Sequence, residues 1–132
     1  MKEKFLDATT QRPEGDRSID APLASIDLSL FMEQIKQEPS WKTSKQNAIT
    51  VLKTNGLRIV LIALHEGMEI SRHSAEGIIS VQVLEGHIKF STDQQSLELS
   101  KGQMLALHER IPHSVLAIKE SMFLLTLSTV KN

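Results

Sequence analysis

The sequence predicts an all-β domain, an antiparallel sandwich or barrel with one short helix ahead of it. Short apolar stretches, several of them alternating with period two, run from about position 47 onward. Turn chemistry separates them, at Asn55-Gly56, Glu85-Gly86, Thr92-Asp93-Gln94-Gln95 and Lys101-Gly102. No helical pattern lies between these stretches, so there are no crossovers to build a parallel sheet. At 132 residues the chain makes one domain, long enough to bury roughly two-thirds of its unfolded surface.

Residues 1–26 read as a polar arm. The first 25 positions hold nine charged residues, two prolines and Gly15, without apolar periodicity. Ile19, Leu23 and Ile26 are its few apolar groups, and they could lie along a sheet edge. Asp27 then has the character of a helix N-cap. Leu28, Phe31, Met32 and Ile35 follow at the spacing of one helical face, predicting a helix over 28–37. Pro39 ends it, and Trp41 packs beside it. Strands are predicted at 47–54, 57–64, 68–72, 78–84, 87–92, 96–99, 103–107, 113–118 and 122–130, a barrel over about 47–130 inside a domain of 27–132.

The stretches 57–64, 103–107 and 122–127 are apolar on both faces. A single-layer barrel needs only its inner face apolar. The outer face therefore calls for a cover, and a homodimer supplies one. The alternative cover is the arm and helix themselves.

Composition removes several classes of function. A formal net charge of −1 offers no electrostatic footprint for nucleic acid or an anionic membrane. The absence of cysteine excludes disulfides, thiolate metal sites and thiol nucleophiles. The N-terminus has no apolar signal-peptide core, and the run Leu57–Leu64 is too short to span a bilayer and carries Arg58. A soluble, cytoplasmic protein is expected.

Two spaced motifs remain. Gly67 is followed after five residues by His73, with Ala75 two positions on, Ile79 four further, and Gly86 after six more. Gly102 is followed after five residues by His108-Glu109-Arg110, then His113 in IPHSV and Ala117. This arrangement resembles the cupin superfamily of small double-stranded β-helix or jelly-roll barrels, whose two motifs share this spacing and these framing glycines. The fifteen residues His87–Lys101 match the short spacer of compact bacterial cupins. The resemblance implies a jelly-roll barrel and a site where three histidines and a glutamate hold iron, manganese, nickel or zinc. Carried over position by position, only His73 and His113 keep a ligand. Ala75 stands in the second histidine's place, Ile79 in the glutamate's, and Ala117 in the asparagine's.

A divalent metal held by protein needs at least three ligands in fixed geometry. The candidates for a third are Glu76, if it folds back from its turn beside Gly77, and His108, from the loop at the barrel mouth. His65-Glu66 and His87 read as surface residues. The expected pocket is His73 and His113 with Ile79, Val81, Val83, Phe90 and Met104. Three functions follow: a barrel binding a small, largely apolar molecule; a metal-dependent dioxygenase or isomerase with an atypical third ligand; and a structural or regulatory dimer with a filled barrel. Metal-free sugar-nucleotide epimerase chemistry is disfavoured, because the chain has no tyrosine.

Overall fold

Asp27 starts the first helix. Its carboxylate accepts the Leu30 amide at 3.3 Å and caps α1 (Leu28–Gln37). Glu38 is extended at φ −75°, ψ 147°, the conformation a residue before proline prefers. Pro39 does stop α1, and it also opens a second short helix, α2 (Pro39–Thr43), that the sequence pattern does not announce. A proline at the first helical position gives up only an amide that has no partner there.

The computed structural model describes residues 22–129, so the expectations for residues 1–21 and 130–132 lie outside the described residues. Nine strands follow the helices: β1 (Gln46–Thr54), β2 (Leu57–Leu64), β3 (Glu69–His73), β4 (Ile78–Glu85), β5 (His87–Thr92), β6 (Ser96–Ser100), β7 (Met104–Leu107), β8 (His113–Ala117) and β9 (Ser121–Ser128). Each coincides with a predicted stretch, with ends shifted by a residue or two. They form two antiparallel sheets, β1-β2-β9-β4-β7 and β3-β8-β5-β6.

The main core lies between the sheets. Val60, Ile62, Ile79, Val81, Val83, Phe123, Leu125 and Leu127 from the first meet Ile88, Phe90, Leu99, Val115 and Ala117 from the second. Polar Thr126 and Ser128 alternate with Leu125 and Leu127 along β9, as a half-buried strand requires.

A second core lies on the outer face of the larger sheet. Ile35 of α1 and Trp41 of α2 pack on Ile49, Val51, Leu61, Ala63 and Met122. The helices thus cover the outward apolar residues of β2 and β9, the cover given above as the alternative to a second subunit. β7 is different, since Met104 stays 58% exposed.

Asn47 ties the helices to the sheet. Its side-chain amide donates to the Ile35 carbonyl and to Glu38 Oε1, both at 2.9 Å, while its Oδ1 accepts from Ser40 Oγ at 2.8 Å and from the Ala48 amide at 2.9 Å. All four of these bonds are made by a residue that is itself buried, which makes it costly to alter.

His65 is a correction. It is not exposed decoration: its ring stacks on Trp41 with centroids 3.5 Å apart and planes at 15°. Its Nε2 donates to the Trp41 carbonyl at 2.8 Å. A contact across 24 residues of chain leaves no local signal in sequence. His87 pairs with Glu98 at 2.7 Å on the smaller sheet.

Two glycines are required by packing. Gly86 has φ +92°, and a side chain there would collide with the Glu120 carbonyl and the Ser121 hydroxyl. Gly77, at the entry to β4, lies against the Ser128 carbonyl, again with no room for a Cβ.

Candidate functional site

The site begins with an irregularity in β3. Ile70 pairs with Val115 of β8, and unbroken antiparallel pairing would then set Arg72 opposite His113. The register shifts between Ile70 and His73, so His73 faces His113 instead. The bulge absorbs one extra residue on β3, so His73 faces inward and Arg72 is left exposed, where it pairs with Asp93 at 2.6 Å. The bulge makes the site.

The two imidazole centroids lie 4.4 Å apart with planes at 60°. His73 donates its Nδ1–H to the Ser71 carbonyl at 2.7 Å, and His113 donates its own to the Ile111 carbonyl at 3.0 Å. Phe90 of β5 stacks on His113 with centroids 5.1 Å apart and planes at 14°. His113 is buried and His73 half-buried. Burial holds the pKa of His113 below the ordinary histidine value of 6.5; the neighbouring His73 acts in the same direction, and the bond to Ile111 opposes it. Burial thus favours the neutral form of His113.

The pair opens into a cavity of about 1020 Å³. Ile79, Val81 and Phe90 line it, as the sequence predicts, together with Val115, Phe123, Leu125 and Leu127. Sequence reasoning misses these last four, although polar Thr126 and Ser128 already mark the outward phase of β9. Lys53, Arg58, Arg72 and Glu76 also border it.

Two expected pocket residues are corrected. Val83 is in the core but does not line the cavity: it sits toward the Gly86 end of β4, paired with Phe123. Met104 points outward, because it pairs with Gln82, whereas Leu105 pairs with the inward Val81 and packs on the core. The stretch Met104–Leu107 is apolar at every position, so its alternation carries no phase.

The expected third ligands are also placed. Glu76 is engaged by Arg110, whose Nε donates at 3.3 Å, and Arg110 Nη2 lies 3.4 Å from Glu109. His108 is exposed on its loop. Among the described residues no three His, Asp or Glu side chains come together as a metal would need. Arg110 itself has φ +61°, a left-handed conformation that glycine adopts most easily.

No protein-family model and no curated protein sequence matches the chain. Solved structures do. A conserved protein of unknown function from Streptococcus pyogenes superposes with TM-score 0.65 at 23% identity, over 89% of this chain and 96% of that one. A cupin superfamily protein from Desulfitobacterium hafniense gives 0.63 at 15% identity, over 66% and 80%. The chain has a cupin fold. An RmlC-like cupin from Shewanella frigidimarina agrees, with TM-score 0.61 at 17% identity over 67% and 79%.

The metal implied by cupin motifs does not fit the residues present. The His73 and His113 tautomers suit a metal, since a ligand histidine normally spends its other nitrogen on a carbonyl or carboxylate. Among the described residues the rest of the donor set is missing. Ala75 and Ile79 fill the other two ligand positions with hydrocarbon, at 9% and 2% exposure, and Glu76 is held at the rim by Arg110. Two imidazoles fall short of the three protein ligands a stable site needs.

Proposed function

We propose that this cupin barrel binds a small, largely apolar molecule whose polar end lies against His73 and His113. The cavity of about 1020 Å³ carries the reading. It stands at the upper end of the usual range for ligand pockets, about 300–1,000 Å³; polar residues such as Asn47, Ser74 and Thr129 form part of its lining, and Ile62, Ile79, Val81, Phe90, Phe123 and Leu125 give it apolar walls. Such walls reward apolar surface by about 25 cal/mol per Å² removed from water. His73 and His113, side by side in that lining, then orient what enters. A filled barrel, the structural-dimer alternative, is at odds with that volume, and the metal-enzyme alternative finds no third donor beside the two histidines among the described residues.

Methyl-resolved NMR with a set of apolar fragments tests the proposal. Shifts confined to Ile79, Val81, Val115, Leu125 and Leu127, and abolished by filling the space with Val81→Trp, are the expected result. Fragments that leave those methyls unmoved at millimolar concentration would refute it.

A further inference from the structure

His73 and His113 are held in the same way, each donating Nδ1–H to the carbonyl two residues back along its own strand or loop. A carbonyl only accepts, so both rings must carry their proton on Nδ1. In a neutral imidazole the other nitrogen, Nε2, is then a bare lone pair. Neither ring retains an N–H for the other, although their centroids are only 4.4 Å apart. The pair amounts to two acceptors side by side, and two acceptors do not satisfy each other. Both rings line the cavity, so each Nε2 accepts from water or from a donor on whatever enters.

Resting on the reading of the barrel as a binding pocket, we infer that the cavity selects a ligand with an apolar body and a neutral hydrogen-bond donor set against the two Nε2 atoms, a hydroxyl or an amide or amine N–H, over the carboxylate of the same shape, Arg72 at the border being already paired with Asp93. A carboxylate is acceptor-only and would set its oxygens against two lone pairs. The bond to the Ile111 carbonyl fixes which edge His113 offers, and Phe90 lies flat against the same ring. A hydroxyl or N–H reaches Nε2 with the ring as it stands.

Naphthol, naphthoate and naphthalene share one ring system and differ only in what they offer the histidines. Each is titrated into the full chain at about pH 7.5, above the ordinary histidine value, with affinities from calorimetry and histidine tautomers from long-range nitrogen–proton NMR. Both rings are expected as Nδ1–H tautomers, with naphthol binding about tenfold tighter than naphthalene and naphthoate weakest. His73→Phe and His113→Phe are expected to shrink the naphthol preference to about twofold. Equal affinity for the three probes would overturn the inference and leave the pocket reading intact, whereas binding of none would remove the pocket reading itself. Naphthoate binding tightest, with proton uptake, would overturn the inference by showing imidazolium in the site. An Nε2–H tautomer in the unaltered chain would do so even if a variant failed to fold.

Discussion

Alanine at the two histidines separates a half-buried ring from a buried one. In His73→Ala the lost group is half-buried, and its partner, the Ser71 carbonyl, belongs to an exposed residue that water can satisfy. The cost is then one net hydrogen bond and a little packing, about 1 kcal/mol. His113 is 4% exposed, bonded to the Ile111 carbonyl and stacked on Phe90. Its removal costs a similar hydrogen bond plus the ring contact, worth roughly 0.5–1.5 kcal/mol, for a total of about 2 kcal/mol. The new space merges with a cavity already present, so the further penalty of an isolated void is small. Urea unfolding near neutral pH measures both, and equal m-values would confirm a common unfolded state. A loss above about 3 kcal/mol for His73→Ala would show a broken buried network and sink the reasoning. A larger loss at His73 than at His113 would do the same.

Three other outcomes are expected. Because His113 titrates below its unfolded value of 6.5, the unfolded chain binds more protons there. The full stabilisation is present above that pH and is lost as pH falls toward the folded value, at about 1.4 kcal/mol for each pH unit separating the two. Comparing urea midpoints across pH in the native chain and His113→Phe checks this, and an identical slope in both would contradict it. Asn47→Ala removes the four-bond hub and is expected to cost about 2–4 kcal/mol by thermal or urea unfolding, against less than about 0.5 for an exposed control such as Gln94→Ala. Elemental analysis after dialysis of untagged protein is expected to find metal far below one per chain; near-stoichiometric metal that disappears in His73→Ala would show a third ligand outside the donors identified.

The strands are legible in sequence because turns and alternation are local properties. Asn55-Gly56 and Glu85-Gly86 mark hairpins whatever the rest of the chain does, and the Asp27 cap announces α1 in the same way. Phase is legible only where polar residues mark one face. β4, with Ser80 and Gln82 between Ile79, Val81 and Val83, can be read correctly. β7, apolar throughout, cannot, and Met104 falls on the side opposite to the one expected. Of the site, motif spacing finds His73 and His113. It does not find the tautomers that give them their chemistry, since a backbone carbonyl two residues back becomes a partner only once the strand bends. His65 is hidden for a related reason: its environment is Trp41, brought near by helix packing rather than by sequence.

The extra residue in β3 makes the interior of this barrel a matter of counting. Removing one residue between Ile70 and His73 would straighten the strand and still leave His73 opposite His113, facing the core two positions from Ile70, whereas removing both would set it opposite Ser114 on the solvent side. A substitution scan, however thorough, never samples that change. Related chains with one residue fewer before the histidine can therefore hold the same pair on a regular strand, so the spacing from framing glycine to histidine can differ by one while the site stays.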